Sequence, residues 1–265
     1  MPGPDAPPSR DAADTAAPAG VALAALPRPA ALLFDLDGTL VDSVEDIHVA
    51  VNALLVELGL ATRTRDEVAT WVGNGARMLV ERAIAGRFEG FRGLDDEPSR
   101  HAHADRAMPR FRAIYETVCV DHTKPLAGAT DSLEAARAAG VAVAIVTNKP
   151  LAPTQRIVDA LGWRALVDAV IGGDSLPVRK PDPAPIHEAL RLLGGGHAAA
   201  GAWMIGDSAN DVGAARAARM PCVVVRGGYN HGRTVESLDP APDAILDSLD
   251  DLAIHLREVR FTTRV

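Results

Sequence analysis

Short apolar runs that end at polar residues constrain the fold of this chain more than any other feature. They are rich in Val, Ile and Leu, and helical patterns lie between them. The predicted strands are residues 31–34, 141–146, 169–171, 202–205 and 222–225, with a weaker strand at 244–246. The predicted helices are residues 131–139, 153–161, 183–193 and 210–218. This alternation indicates an α/β fold with a doubly wound, Rossmann-like parallel sheet, which helices cover on both faces.

One long interval interrupts the alternation. About 110 residues separate the ends of the first two strands, whereas a crossover connection needs only a dozen or so. Apolar residues at helical spacing, such as Ile47, Val51 and Leu54, predict helices in this interval. We therefore expect a helical cap at residues 43–127, inserted into a catalytic core of residues 29–42 and 128–265. An insertion beside carboxylates at strand ends is typical of a lid that excludes water.

The N-terminal residues 1–28 differ in composition from the rest of the chain. Ala and Pro dominate, with scattered Asp, and such a segment cannot bury enough apolar surface to offset its ordering entropy. A signal peptide is not indicated, because acidic residues precede the short apolar patch. The composition predicts a disordered tail.

Charge and hydropathy exclude several classes of partner. The net charge of −8 argues against binding to nucleic acid. No apolar run approaches the roughly 20 residues that span a bilayer, so we expect no membrane contact. Cys119 and Cys222 match no zinc or redox spacing. We expect a cytoplasmic protein, present as a monomer or a homodimer.

Residues 34–43, with the sequence Phe-Asp-Leu-Asp-Gly-Thr-Leu-Val-Asp-Ser, place two carboxylates at the end of the first strand. Asp35 can attack phosphorus or carbon and form a covalent ester. Asp37 can exchange protons with a leaving group and with water. An EF-hand calcium loop does not fit, because Gly38 comes fourth rather than sixth. A helix N-cap at Asp42 or Ser43 is also expected, but it leaves Asp35 and Asp37 unexplained.

Polar side chains follow three further predicted strands. Thr147 and Asn148 offer a hydroxyl and loop amides to phosphate oxygens. Lys180 lies in a proline-rich loop, and its ammonium suits a phosphate oxygen. Asp207 ends a strand, and Asp211 begins the next helix. Carboxylates converging within ~4 Å repel by roughly 4 kcal/mol per pair at a dielectric of ~20, so the cluster needs a cation, and oxygen ligands favour Mg²⁺.

These motifs, in this order and at strand ends, resemble those of the haloacid dehalogenase-like hydrolase superfamily. The resemblance covers almost everything after residue 29 and implies that Asp35 is the nucleophile and Asp37 the general acid and base. The implied Mg²⁺ ligands are the Asp35 side chain, the Asp37 carbonyl oxygen and Asp207, with Asp211 orienting the water around the metal. The implied phosphate-binding residues are Thr147, Asn148 and Lys180.

The acid at position 37 distinguishes branches of this superfamily, because dehalogenases lack it. Its presence implies phosphoryl transfer. Residues 71–76 and 227–232 resemble a branch that hydrolyses 2-phosphoglycolate, so the expected partner is a small-molecule phosphate ester. In the cap, Asn74 and Arg77 are the expected sources of selectivity, Arg77 by pairing with a substrate carboxylate. Open alternatives are a phosphatase of a sugar phosphate such as N-acetylmuramic acid 6-phosphate, a pyrophosphatase, a phosphomutase, and a regulatory binding protein with this fold.

Overall fold

The structure, a computed structural model, describes residues 23–194, 196 and 199–258. In chain order its strands are β1 (Ala31–Phe34), β2 (Val41–Asp42), β3 (Lys124–Pro125), β4 (Ala142–Val146), β5 (Ala169–Ile171), β6 (Ala202–Gly206), β7 (Cys222–Val225) and β8 (Ala244–Leu246). Six of them form one sheet in the order β5-β4-β1-β6-β7-β8, and every neighbouring pair is parallel. This is the doubly wound topology, and all six predicted strands are confirmed.

The helices cover the sheet and fill the long interval after β2. In chain order they are α1 (Val44–Glu57), α2 (Arg65–Trp71), α3 (Ala76–Ala85), α4 (Glu97–Val118), α5 (Ala129–Ala138), α6 (Leu151–Ala160), α7 (Ala184–Leu193), α8 (Ala209–Ala217) and α9 (Leu249–Glu258). Helices α5 to α8 begin and end within about two residues of the predicted bounds. None of the helices in the described ranges is long and apolar enough to cross a membrane.

Both faces of the sheet are buried, which explains why its strands are apolar at every position. Leu32 and Phe34 point into one apolar cluster, together with residues of α5, α6 and α9. Ala31 and Leu33 point into a second cluster on the opposite face, against α7 and α8. Side chains alternate between the faces of a strand, so a sheet with two buried faces needs apolar residues throughout.

Helices α1 to α4 form a separate helical unit with its own apolar cluster. They occupy the interval that the sequence predicts to be the cap. On α1 the side chains of Ile47, Val51 and Leu54 are buried, as their helical spacing indicates. On α4 the side chains of Phe111 and Tyr115 are buried and stack with ring centroids 5.9 Å apart.

Two connections join the helical unit to the sheet region, and they lie side by side in space. Strands β2 and β3, which lead into and out of the unit, pair with each other in antiparallel orientation. The fully buried carboxylate of Asp46 accepts hydrogen bonds from the main-chain N–H groups of His122 and Thr123, each at 2.8 Å. Three bonds or more to one buried carboxylate fix its position, because leaving it unpaired in the interior would be costly.

The predicted C-terminal boundary of the disordered tail, residue 28, is wrong. Most of residues 1–28 lies outside the described residues, but Leu23 is completely buried in the cluster beside α5 and α9. The indole N–H of Trp203 donates to the carbonyl oxygen of Pro27 at 2.9 Å. Residues 23–28 therefore pack against the sheet. Two Leu residues in an Ala- and Pro-rich segment are a weak signal in the sequence, yet Leu23 is buried in the core and Leu26 packs against it.

Candidate active site

The acidic residues of the candidate site follow the two central strands of the sheet. Strands β1 and β6 are neighbours, and Asp35 and Asp207 come directly after them. The chain runs to opposite sides of the sheet from this point, and ligands in doubly wound folds bind in the crevice that results. The sheet order therefore explains why carboxylates more than 150 residues apart in sequence meet.

Lys180 connects two of the carboxylates. Its Nζ lies 3.0 Å from Oδ1 of Asp35 and 2.6 Å from Oδ1 of Asp211. The main-chain N–H of Leu36 donates to the same Oδ1 of Asp35 at 2.7 Å. Both contacts hold Oδ1, so the other oxygen of Asp35, Oδ2, is the one available to a ligand.

Asp207 is held from both sides. The Thr39 hydroxyl donates to its Oδ1 at 2.9 Å, and the main-chain N–H of Tyr229 donates to its Oδ2 at 2.5 Å. A Cβ at Gly38 or Gly228 would lie 2.6 or 2.3 Å from Oδ2 of Asp207. Glycine is required at both positions, because any side chain would push the carboxylate out of place.

Burial changes the protonation of these groups. Desolvation raises the pKa of Asp35 to about 6, against the opposing effect of Lys180 and with a further increase from Asp211. Desolvation also raises the pKa of Asp207 well above its usual value, with Asp211 and Asp35 adding to it. Burial lowers the pKa of Lys180, but the carboxylates of Asp211 and Asp35 outweigh it and raise the value to about 12. Lys180 is therefore charged.

The cluster fits a divalent cation. Ligand oxygens of Asp35, Asp207 and Asp211 lie within 4.8 Å of one another, and all three residues are buried. Three carboxylates and the one ammonium of Lys180 leave an excess of two negative charges when all are ionised. Hard oxygen ligands with this charge suit Mg²⁺, which also relieves the repulsion between them.

Asp211 is held more tightly than the other acids. Its Oδ1 pairs with Lys180, and its Oδ2 accepts from the hydroxyl of Ser208 at 2.8 Å and from its N–H at 3.0 Å. The N–H of Asp207 adds a further bond to Oδ2 at 3.2 Å. An acid with both oxygens in use favours the predicted role beside the metal rather than on it, and that role stays a prediction.

Asp37 lies beside Lys149, which follows strand β4. Nζ of Lys149 contacts both of its oxygens, at 2.9 and 3.1 Å. The hydroxyl of Ser43 donates to Oδ1 of Asp37 at 2.5 Å. Ser43 is the N-cap residue of α1, as predicted, although its side chain makes no hydrogen bond to the helix. Its O–H donates to the carboxylate of Asp37 instead, and a hydrogen bond to a charged acceptor is the stronger kind.

Thr147 and Asn148 lie where the sequence places them, but the amide of Asn148 is already in use. Its Nδ2 donates to the carbonyl oxygens of Gly73 at 2.9 Å and Lys180 at 3.0 Å. An amide NH₂ has two donors, so none remains for a phosphate oxygen. The Thr147 hydroxyl accepts from the N–H of Lys149 at 3.2 Å and keeps its own O–H free to donate.

A cavity of about 50 Å³ separates the strand ends from the helical unit. One water molecule needs roughly 10–15 Å³ on this measure, so the cavity suits a small ligand. The sheet side is polar and includes Asp35, Asp37, Thr147 and Lys149. The side formed by the helical unit is apolar apart from one hydroxyl, and its side chains include Ile47, Val72, Leu79, Phe111 and Tyr115.

The structure does not bring Arg77 or the side chain of Asn74 into this cavity. Arg77 pairs with Glu81 at 2.6 Å and with Asp105 at 2.9 Å, both within the helical unit. Its charge is therefore already neutralised, and the expected pairing with a substrate carboxylate has no geometric support. Asn74 lines a different pocket, beside Phe88. Arg77 and Glu81 are four residues apart on a helix, a spacing that favours such a pair.

Four side chains of the sheet region hold one loop of the helical unit. Asn148 and Asn210 both donate to the carbonyl oxygen of Gly73, at 2.9 and 3.2 Å. Arg179 donates to the carbonyl oxygen of Asn74 at 3.3 Å. The ring nitrogen Nδ1 of His231 lies 2.8 Å from the carbonyl oxygen of Thr70. These contacts keep the cavity covered.

The fold and the acidic site define a class of protein that the comparisons also identify. A family model described as haloacid dehalogenase-like hydrolase matches residues 32–225, which is most of the chain. The chain belongs to the haloacid dehalogenase-like hydrolase family. The matched residues include β1, the helical unit and all strands up to β7.

Within this family, the chain is similar to several phosphoglycolate phosphatases. The chain is 41% identical over 209 residues to a phosphoglycolate phosphatase of Psychrobacter arcticus, which covers 79% of this chain and 88% of the relative. It is 39% identical to a phosphoglycolate phosphatase of Colwellia psychrerythraea, over 85% of this chain and 96% of that one. A solved structure described as a predicted phosphoglycolate phosphatase from Haemophilus somnus superposes with a TM-score of 0.72 at 31% identity, over 84% of this chain and 96% of that one.

Several groups at the site are not evident from the sequence. Thr39 and the main-chain N–H of Tyr229 bind Asp207, and Ser43 binds Asp37. Thr39 and Ser43 lie inside the motif of residues 34–43, so their proximity to the acids was a usable signal. Tyr229 comes from a loop after β7, and only the sheet order brings it to the site.

Proposed function

We propose that this protein is a magnesium-dependent phosphomonoesterase that acts through an aspartyl-phosphate intermediate, with 2-phosphoglycolate as its substrate. The observation that carries the proposal is the placement of Asp35. Its carboxylate lies at the polar side of a small covered cavity, is oriented by Lys180 and Leu36, and has Asp37 beside it. That is the arrangement a carboxylate nucleophile requires.

In the first step, Oδ2 of Asp35 attacks phosphorus and the bond from phosphorus to the ester oxygen breaks. Asp37 donates a proton to the departing oxygen, which leaves as an alcohol. Lys180 holds the other oxygen of Asp35 and keeps the attacking one directed at the cavity. The products of this step are the alcohol and an acyl phosphate on Asp35.

In the second step, Asp37 removes a proton from water, and that water attacks phosphorus. The bond from phosphorus to Oδ2 of Asp35 breaks, so inorganic phosphate leaves and the carboxylate is restored. Lys149 and Ser43 fix the Asp37 carboxylate in place for both proton transfers. The helical unit, acting as a cap, keeps other water out of the cavity.

The remaining polar groups hold the phosphoryl oxygens. The O–H of Thr147 and the main-chain N–H of Asn148 are the donors we assign to them, since both side-chain N–H groups of Asn148 are in use. Asp35, the Asp37 carbonyl oxygen and Asp207 would hold Mg²⁺, with Asp211 at its water shell. The ion supplies positive charge that lets a phosphate dianion approach the carboxylates.

Two observations support the choice of 2-phosphoglycolate among phosphate esters. The relatives at 41% and 39% identity are phosphoglycolate phosphatases. The cavity is also small and offers few polar groups on the cap side, which suits a short substrate better than a sugar phosphate, whose hydroxyl groups would lose their hydration.

Phosphate release from a panel of substrates tests the proposal. The panel contains 2-phosphoglycolate, N-acetylmuramic acid 6-phosphate, glucose 6-phosphate and pyrophosphate, each with Mg²⁺ and with EDTA. We expect 2-phosphoglycolate to have the highest kcat/KM, no activity in EDTA and full recovery when Mg²⁺ is added. The matched control is Asp35→Asn, which keeps the size of the side chain and removes the nucleophile.

Each alternative predicts a different result. A tenfold preference for a sugar phosphate or pyrophosphate contradicts the substrate and leaves the mechanism standing. Transfer of phosphate to a second position of a sugar, without release, indicates a mutase. Binding without turnover on any of the four substrates indicates a regulatory protein, and full activity in metal-free buffer contradicts the role of Mg²⁺.

A further inference from the structure

The cap side of the cavity contains one polar atom that its neighbours do not explain. Tyr115 lies on α4, is 5% exposed and lines the cavity. Within the part of the chain that the structure describes, its hydroxyl makes no hydrogen bond of ordinary length. A buried hydroxyl without a partner costs about 1–3 kcal/mol, and a native structure usually has a reason for it.

Packing fixes the direction of this hydroxyl. The ring of Tyr115 stacks on Phe111, with an angle of 4° between the planes, and the other wall residues of the helical unit are apolar. Burial raises the pKa of the phenol, so it stays protonated and acts as a donor. A protonated donor in an apolar wall suits an acceptor on a ligand.

A cation lies next to this hydroxyl. Nζ of Lys149 is 4.8 Å from the centre of the Tyr115 ring, and its side chain is 3% exposed. Burial lowers the pKa of Lys149, but the carboxylate of Asp37 raises it, and the net pKa lies above its ordinary value, so the ammonium stays charged. Among the cavity-lining residues that the structure describes, Lys149 is the one cation.

Lys149 has donors to spare. An ammonium carries three N–H groups, and its described hydrogen bonds go to the two oxygens of Asp37. At least one N–H therefore remains for a ligand. Lys149 is paired with Asp37, as Arg77 is with Glu81, but unlike Arg77 it lines the cavity, so its remaining N–H can reach a ligand there.

We propose that Tyr115 and Lys149 form the subsite that binds the carboxylate of the substrate. This inference rests on the proposed function and adds the residues that recognise the end of the substrate farther from phosphorus. The ligand class is a short phosphate ester with a carboxylate next to the ester carbon. Lys149 supplies the charge, and Tyr115 supplies a hydrogen bond in surroundings where water does not compete.

The test compares two substrates that differ only at this group, 2-phosphoglycolate and 2-hydroxyethyl phosphate. Its measure is the ratio of their kcat/KM values, called the carboxylate preference here. Tyr115→Phe removes one oxygen and keeps the ring. We expect it to reduce the carboxylate preference about tenfold, the loss of a hydrogen bond worth about 1.4 kcal/mol, through KM more than kcat. Lys149→Met should reduce the preference by a larger factor, because it removes a charge.

Thermal stability separates a ligand-binding role from a structural one. Because the Tyr115 hydroxyl makes no hydrogen bond of ordinary length within the described residues, Tyr115→Phe should leave the Tm unchanged or raise it. Tyr229→Phe is the matched control. The phenol of Tyr229 donates to Asp42 at 2.5 Å and accepts from the N–H of Ser43, so this variant should lower the Tm and leave the carboxylate preference as it is.

Three results would overturn the inference. The first is a wild-type carboxylate preference that survives in both Tyr115→Phe and Lys149→Met. The second is a preference that falls instead in Arg179→Gln, since Arg179 lies near the loop of Gly75 at the edge of the cavity. The third is a wild type that hydrolyses both esters equally well, which contradicts the proposed substrate as well as the subsite.

Discussion

The two sides of the cavity are built in different ways. On the sheet side, charged groups pair with one another, and Asp35, Asp207, Asp211 and Lys180 are all at least nine-tenths buried. On the side of the helical unit, apolar side chains surround one hydroxyl, that of Tyr115. In the proposed function, the groups of the sheet side other than Lys149 contact only the phosphoryl group and can act on any phosphate ester. The cap side has no charged groups, so its shape and the Tyr115 hydroxyl, together with Lys149, select among esters.

This difference makes a general expectation for variants. A change on the sheet side, Lys149 excepted, should reduce turnover of 2-phosphoglycolate and 2-hydroxyethyl phosphate by the same factor. A change on the cap side should alter the relative rates of two substrates and have a smaller effect on the rate of the better one.

Asp35→Asn should reduce turnover to the background of the assay on 2-phosphoglycolate and 2-hydroxyethyl phosphate alike. An amide is a far poorer nucleophile toward phosphorus than a carboxylate. Circular dichroism should show an unchanged fold, because the amide occupies the same volume. Residual activity that differs between the two esters would contradict the assignment of Asp35 as the nucleophile for both.

Asp37→Asn should slow steady-state turnover by about 10²–10⁴-fold, the usual contribution of a positioned acid and base. The loss should be smaller for an aryl phosphate such as 4-nitrophenyl phosphate, because its leaving group needs no proton. The difference between alkyl and aryl substrates is the measurement. Equal losses on both would assign Asp37 to positioning rather than to proton transfer.

The stability of the metal-free protein should depend on the ionisation of Asp35. Burial raises the folded-state pKa of Asp35 to about 6 from an ordinary value of 3.8, so the folded protein binds the proton more tightly than the unfolded chain. The contribution to stability is therefore present at low pH and is lost as the pH rises from about 4 to about 6. In EDTA, the Tm of wild type should fall relative to that of Asp35→Asn across this range, and Mg²⁺ should remove the difference. A constant difference across the range would contradict the buried acid.

Leu23→Ala should leave kcat/KM unchanged and lower stability. Leu23 is completely buried beneath the sheet, and replacing a buried Leu by Ala costs roughly 2–5 kcal/mol. For a domain of this size the Tm should fall by about 4 °C or more. Removal of residues 1–22 is the control, and we expect no such loss. A truncation as harmful as Leu23→Ala would show that the preceding residues also pack.

The sequence predicted the sheet because its signal is local. A buried strand is recognised as an apolar run followed by a helical pattern, and about 30 residues of sequence contain both. All six strands of the sheet lie at such runs. The convergence of Asp35 with Asp207 was also predictable, because parallel strands place their carboxyl ends on one edge. These parts of the site follow from topology alone.

The cap side was not predictable in the same way, because it depends on packing between helices. Arg77 was the expected partner of the substrate carboxylate, yet Glu81 and Asp105 neutralise it within the helical unit. Tyr115 reads in the sequence as one more apolar position on a helix face. Its proposed role in binding a ligand becomes visible only in the structure, where the Tyr115 ring lies 4.8 Å from Nζ of Lys149. The hydrogen bond of the Asn148 side chain was not predictable for the same reason. It donates to the Gly73 carbonyl oxygen in the helical unit, 75 residues away in the sequence.

The paired strands β2 and β3 have a consequence for the rate of turnover. Both connections of the helical unit leave the sheet region side by side, so the unit is attached along a single edge. We expect the cavity to open by a rotation about that edge, because a rotation keeps the pairing of β2 with β3 intact, whereas a sliding motion would break it. Each catalytic cycle must then open and re-form the hydrogen bonds at Gly73, Asn74 and Thr70. Weakening those bonds should speed product release and, in the same measure, admit water while the phosphoryl group is still on Asp35.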